Sequence, residues 1–464
     1  MRTLVLRPYQ RETAEFVFRY AAEHIRGRLV VVIPPGGGKT PIAAHVLRVM
    51  AAEQGLRGLA WAHRRELVGQ MYDHLVECGV PAEMIGVGMA GDRRRNPTAP
   101  IQVWSVDTLR HQDKPLADIV VSDEAHRDAS DGRRKLRALY PDAFHLGFTG
   151  TPIRLDGRGL REDYDEMYVG ARPSELIADG YIVAPRIYTV PLELLPDLKG
   201  VKKRGGDFRE GELEERSNKK PLIGGIVDHW QRRAEGRRTI VFPVGIKHSR
   251  AIVERFRTAG IAAEHLDGET QLAERRAIIA RLKDKTTYVV SSCGVLSEGF
   301  NLPEVKCVVL ARATESLALH IQQPGRCMRP WGGIEPLVLD HAGNTRRHGA
   351  PHFDHEWALG QRKGRGCGGG VAVTKECGGC HLFVPSGCTV CPECDCSFPV
   401  PVAEPTERDG ELVKWRPVFT DEEKAAELLR LREFAAARNF RFGWAERVYQ
   451  AKFGELPFSE AQAA

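Results

Sequence analysis

Leu29-Val30-Val31-Val32-Ile33-Pro34-Pro35-Gly36-Gly37-Gly38-Lys39-Thr40 is the stretch on which the fold of this chain turns. Its opening apolar run reads as a strand buried on both faces, and residues 41–53 read as the helix that follows. Between them the glycines let backbone N–H groups curl around a phosphate at the helix start. Lys39 adds a point charge there, and the Thr40 hydroxyl is suited to Mg2+. The full phosphate-loop pattern asks for glycine five residues before Gly38, where this chain has Ile33.

The same alternation continues outward from that stretch. Strand-like runs at 59–62, 101–106, 119–122 and 145–149 accompany a helical stretch at 64–77. It returns at 239–242, 288–291, 306–311 and 337–339, with helices at 248–258 and 272–283. Such alternation makes parallel strands with crossover helices. The chain is expected to be α/β, with two doubly wound parallel-sheet domains in tandem over 1–170 and 221–348. Residues 171–220 read as linker and insertion, and the charge run 199–204 within them as a solvated loop. A glycine-rich basic connector leads to a cysteine cluster over 365–400, and a helical tail is expected over 417–460.

Composition fits this plan. At ~150 residues per domain, 464 residues make about three domains, and 42% hydrophobic with 28% charged residues excludes wholesale disorder. Lys plus Arg number 67 against 61 for Asp plus Glu, a net +6 that permits a polyanionic partner without demanding one. No apolar run approaches the ~20 residues of a membrane span, and the N-terminus lacks a secretory h-region, so a cytoplasmic, membrane-free protein is expected.

A second acidic element complements the phosphate cradle. Ile119-Val120-Val121-Ser122 delivers Asp123 and Glu124 to a strand end, where Asp123 can hold Mg2+ and Glu124 can orient and deprotonate an attacking water. His126, without an HExxH spacing, is expected to hydrogen-bond to other motifs rather than to bind metal. Asp123-Glu124-Ala125-His126 resembles motif II of the DEAD/DEAH-type superfamily-2 helicases, whose two domains are RecA-like. Leu6-Arg7-Pro8-Tyr9-Gln10 resembles their adenine-recognition element, which implies that Gln10 reads the base. Ala62 to Gln70 resembles motif Ia, Phe148-Thr149-Gly150-Thr151-Pro152 motif III with Gly150 for the common alanine, and Thr239 to Phe242 motif IV. Ser291 to Asn301 resembles motif V, with Asn301 for a frequent aspartate, and 320–329 carries the QxxGRxxR pattern of motif VI.

That resemblance implies an ATP-dependent motor. Gly36, Gly37, Gly38, Lys39, Thr40, Asp123, Glu124, Gly299, Asn301, Arg326 and Arg329 would bind ATP and its Mg2+. Catalysis would fall to Lys39, Glu124, Gln322, Arg326 and Arg329; in a helix the two arginines share one face. His63, Arg64, Thr108 and Ser292 would contact nucleic acid, DNA in preference to RNA, with a single-strand-binding protein as a further partner.

Cys377-Gly378-Gly379-Cys380 and Cys391-Pro392-Glu393-Cys394 form CxxC-x10-CxxC, the spacing of a zinc ribbon, with Cys388 and Cys396 as rival ligands. A helicase core followed by such a ribbon resembles the RadD-type DNA-repair helicases and phage relatives, which implies repair or replication restart. Two other readings stand beside it: the motor subunit of a restriction or phage-defence complex, and an ATP-switched binding scaffold that does not unwind.

Overall fold

The computed structural model describes residues 5–360, 374–398 and 421–449, apart from 113, 155–156, 190–194, 205, 298–300, 381, 386–388, 438–442 and 447–448. Gly299, Cys388 and the end of the tail lie outside the described residues. The first domain runs α1 (Pro8–Glu23), β1 (Arg28–Val32), α2 (Lys39–Leu47), β2 (Gly58–Ala62), α3 (Arg65–Glu77) and β3 (Ile85–Gly88). It continues with β4 (Ile101–Ser105), α4 (Val106–His111), β5 (Ile119–Asp123), α5 (Asp131–Arg137), β6 (Phe144–Thr149) and β7 (Glu166–Val169). All seven strands are parallel, in the order β3-β4-β2-β5-β6-β1-β7. Leu29 to Ile33 are buried, as a strand covered on both faces requires. The helix expected over 41–53 starts at Lys39 and passes into a π-helical turn, Arg48–Glu53.

The stretch expected as linker holds α6 (Pro173–Ala178), β8 (Arg186–Thr189), the hairpin β9 (Lys203–Arg204) and β10 (Asp207–Phe208), and α7 (Glu210–Ser217). Four residues after Pro185 carry too little periodicity to announce a strand, yet β8 closes one edge of the second sheet, with Tyr188 opposite Leu339. Phe208 and Leu213 bury against Val244, Ala313 and Ala342, so the insertion packs on the second domain rather than crossing solvent.

That domain continues with α8 (Lys220–Ala234), β11 (Arg238–Phe242), α9 (Ile246–Thr258), β12 (Ala263–Leu266), α10 (Leu272–Asp284), β13 (Val289–Ser292) and β14 (Val305–Leu310). It ends with α11 (Leu317–Gln322), β15 (Leu337–Asp340) and α12 (Asn344–His348). Its six parallel strands lie in the order β12-β13-β11-β14-β15-β8.

The cysteine module follows, with β16 (Thr374–Glu376) antiparallel to β17 (Phe383–Pro385). Leu382 bridges Tyr188, and Cys377, Leu382, Val384 and Cys391 share an apolar core with Tyr188 and Trp230. The module is thus seated on the β8 edge, covering backbone that would otherwise invite pairing. Residues 400–464 form a separate unit, in which α13 (Asp421–Ala437) packs Leu431 against Ala445 and Tyr449. Among the described residues no helix is long and apolar enough to cross a membrane.

Candidate active site

The phosphate cradle forms where β1 turns into α2. Gly38 there has φ +81°, a left-handed conformation that calls for glycine, and a Cβ on it would displace the Gln10 amide that now lies 2.5 Å from that position. Gln10 itself is buried and spent on the loop. Its Oε1 accepts from Arg7 N at 2.9 Å, and its Nε2 donates to Gly37 O at 3.3 Å and Gly38 O at 3.2 Å. The Tyr9 hydroxyl donates to the same Gly37 carbonyl. The residue expected to read adenine therefore braces the loop in this arrangement.

At the end of β5, Asp123 and Glu124 face that loop. Lys39 Nζ lies 3.8 Å from Glu124 Oε1. Glu124 sits at φ 53°, a left-handed conformation that costs a non-glycine residue of order 1 kcal/mol or more and aims its carboxylate inward. Burial, and then the Glu124 charge, push the Asp123 carboxyl up to about 6 against the pull of Lys39.

His126 does link motifs, as its sequence context suggested. Its Nδ1 is 3.5 Å from Glu124 Oε2 and 3.1 Å from Thr149 Oγ1. Thr149 Oγ1 donates to Thr151 O at 3.0 Å, and Gln322 Nε2 reaches Thr151 Oγ1 at 3.1 Å. Hydrogen bonds thus link His126 through Thr149 and Thr151 to Gln322 of the second domain, with Glu124 beside the first of them.

The arginines arrive differently from expectation. α11 stops at Gln322, and Pro324–Arg326 is a 3-10 turn, so Arg326 and Arg329 are not presented on one α-helical face; Pro324 interrupts the helix. Both still line a cleft of about 240 Å³ together with Lys39, Thr40, Asp123, Glu124 and Asn301. A Cβ on Gly325 would stand 2.4 Å from Pro35 Cβ, so only glycine lets the two domains meet this closely. Arg326 Nε donates to Gln322 O at 3.2 Å. Burial, followed by the Arg326 charge, lowers the Arg329 pKa, an imbalance that an anion in the cleft would relieve.

Sequence reasoning missed Lys306. It is buried in β14, donating to Cys327 O at 3.5 Å and to Arg329 O, which fixes the segment carrying the second arginine. The signal was present: a lysine inside the apolar run Val305-Lys306-Cys307-Val308-Val309-Leu310 needs an explanation.

Two family models match the chain: the res subunit of type III restriction enzymes over residues 3–154, and the conserved C-terminal helicase domain over 220–330. These are the halves whose charges meet in the cleft. Each half thus carries a domain of the superfamily-2 helicase type. The chain is 28% identical over 375 residues to a 51.5 kDa protein of a Lactococcus phage, covering 79% of this chain and 77% of the phage protein. It is 29% identical over 360 residues to a Schizosaccharomyces pombe protein named as the mitochondrial ATP-dependent helicase irc3, covering 74% of this chain. The helicase spans only 58% of that relative's length. Its fold is similar to a fragment of an HsdR subunit of a type I restriction enzyme from Vibrio vulnificus, with a TM-score of 0.56 at 19% identity over 76% of this chain and 68% of that one.

Of the residues expected to touch nucleic acid in this helicase, Arg64 reaches across to the second domain and Ser292 is buried. The Arg64 guanidinium donates to Gly294 O at 2.7 Å and to Val295 O, tying the first domain to the second, and Arg64 Nε approaches His63 Nε2 at 3.2 Å. Glu66 and Arg275 add a second cross-domain tie at 2.9 Å. Thr108 Oγ1 accepts from Ser105 Oγ at 2.8 Å, and buried Ser292 accepts from Leu296 N at 3.0 Å.

The helicase's Cys377, Cys380, Cys391 and Cys394 bring their sulfurs within 4.8 Å of one another. The Cys377–Cys394 and Cys380–Cys391 pairs are each 3.5 Å apart, close to the ~3.8 Å edge of a tetrahedron built on Zn–S bonds of ~2.3 Å. The backbone N–H of Cys380, then that of Gly379, hold the Cys377 thiol down to about 6, and N–H groups aimed at a sulfur favour its thiolate form. Cys396 instead donates to Ser397 O at 3.8 Å.

Proposed function

We propose that this helicase is a DNA-tracking motor that hydrolyses Mg2+–ATP between its two domains and carries a structural zinc ion in its ribbon. The observation that carries the reading is the convergence of Lys39, Thr40, Asp123 and Glu124 with Arg326 and Arg329 on one cleft. In it the glycine loop and Lys39 cradle the phosphates, and Thr40 and Asp123 hold Mg2+, which neutralises phosphate charge when bound. Glu124 orients and deprotonates the attacking water, while Arg326 and Arg329 stabilise the charge that develops on the transferred phosphoryl group. Asn301 completes the nucleotide-facing edge of the second domain. The chain through His126, Thr149, Thr151 and Gln322 makes the state of the acidic pair felt in the second domain. Four thiolates from Cys377, Cys380, Cys391 and Cys394 would hold Zn2+, on which a module this small depends for its fold.

DNA as the track and a role in repair or restart beside a single-strand-binding protein follow the resemblance to RadD-type helicases. A second reading, the motor subunit of a restriction complex, is favoured by the restriction-enzyme model over 3–154 and the HsdR-like fold. One assay separates them: ATP hydrolysis with Mg2+ against single-stranded DNA, duplex DNA and RNA, beside Glu124→Gln. The motor reading expects strong stimulation by DNA and a loss of about 10²-fold or more in the variant. Turnover indifferent to every polymer would sink it and favour a motor that needs partner subunits.

A further inference from the structure

Strands β2, β4 and β3 are parallel neighbours, with Ala62 opposite Ser105 and Trp104 opposite Gly88. The loops leaving their C-terminal ends therefore share one rim of the sheet, about 10 Å across. Motif Ia begins where β2 ends and Thr108 lies in α4, which follows β4 directly, but Arg64 is turned onto the second domain's carbonyls. The third loop, residues 89–95, brings Asp92-Arg93-Arg94-Arg95 to the same rim.

That loop is ordered from within. Asp92 N donates to Met89 O at 3.1 Å, and Val87 N donates to Arg94 O at 3.0 Å. The Asp92 carboxylate takes Arg94 Nε at 3.0 Å and its terminal nitrogen at 2.7 Å, and the Arg94 guanidinium lies 4.4 Å from the Tyr72 ring centre. With the one acid matched to the middle arginine, Arg93 and Arg95 on either side are exposed and make no ion pair among the described residues. Exposed Arg65, at the start of α3, donates to Ala90 O and adds its charge to the same edge. A braced loop that neutralises its own acid and projects the remaining arginines holds a polyanion at lower entropic cost than a floppy basic tail would.

We propose that Arg93 and Arg95, with Arg65 beside them, are the first domain's grip on the sugar–phosphate backbone of the nucleic acid. This rests on the motor reading and names where that motor holds its track. Contacts to phosphate carry no sequence information, so the grip is indifferent to base composition.

The test is a salt titration of binding to fluorescein-labelled single-stranded DNA, as oligo-dT and as mixed sequence. It compares the full-length wild type with Arg93→Gln/Arg95→Gln, Arg93→Lys/Arg95→Lys and Arg26→Gln. Arg26 pairs with Asp142 at the opposite end of the sheet and controls for net charge. For the glutamine pair the slope of log affinity against log salt is expected to fall by about two, equally on both sequences. The lysine pair should keep most of the slope, and Arg26→Gln should keep all of it, with its ATP turnover at saturating DNA within about twofold of wild type. An unchanged slope in the glutamine pair, or an equal fall in Arg26→Gln, would overturn the grip while leaving the motor standing. A wild type that binds no polymer would overturn both.

Discussion

The two α/β domains share a sheet plan but hold their functional charges in opposite ways. In the first, opposite charges meet locally: Lys39 lies 3.8 Å from Glu124, and buried Arg133 and Asp128 pair at 2.7 Å. In the second, the cations that line the cleft are Arg326, whose Nε donates to Gln322 O, and Arg329, whose backbone carbonyl is held by buried Lys306. Concentrated positive charge out of water is unfavourable until an anion arrives, and burial together with Arg326 lowers the Arg329 pKa accordingly. The first domain is thus a complete cradle with its own counter-charges. The second brings two like charges, Arg326 and Arg329, to the face that the cradle presents.

Removing Arg329 tests this contrast most severely. Arg329→Ala is expected to lower kcat by about 10³-fold or more, with nucleotide affinity changing far less, measured as steady-state ATP turnover beside equilibrium nucleotide binding. Equal losses in both would mean that the arginine serves ground-state binding, and the contrast would fail. Lys306→Met asks whether the arginine pair needs its support. About a tenfold loss of kcat, some 1.4 kcal/mol, with KM for ATP nearly unchanged is expected, because the lysine steadies the arginine segment without touching the cradle.

The smallest effect concerns stability. Burial lowers the pKa of His248 to about 4 and of His320 and His341 to about 3, all in the second domain, whereas in the first His145 is lowered to about 4. Each folded pKa lies below the unfolded ~6.5, so the unfolded chain takes up protons that the native chain refuses. Their contribution is intact above ~6.5 and is lost as pH falls from there toward 4. Peptide-resolved hydrogen exchange at pH 7 and 5, corrected for intrinsic exchange rates, should show the second domain losing more protection than the first. Equal losses would remove this part of the contrast.

Much of the cleft was legible because its residues come in short contiguous runs after strong strands. Gly36 to Thr40 follows β1 directly, Asp123 and Glu124 end β5, and the CxxC pairs carry their own geometry. What escaped was weaker locally. β8 is four residues long behind a proline, and β3 has two glycines in four residues, so neither shows the apolar run that marks a strand. Pro324 breaks the helix on which the two arginines were expected to align, and it took the fold of that turn to show that both still reach the cleft. Arg64 and Ser292 sit where motif order puts them, yet one is engaged across the domains and the other is buried.

By itself, then, the sequence determined the two parallel-sheet domains, the phosphate loop, the acidic pair and the cysteine spacing. Hydrophobic period and turn chemistry are local properties, and a chain carries them wherever it goes. Tertiary structure alone decided that Gly325 meets Pro35, that Gln322 closes the chain from His126 through Thr151, that Lys306 holds the arginine segment, and that the ribbon sits on β8. Each of these joins residues tens to hundreds of positions apart. Contacts of that span depend on how whole sheets pack, which no window of sequence contains.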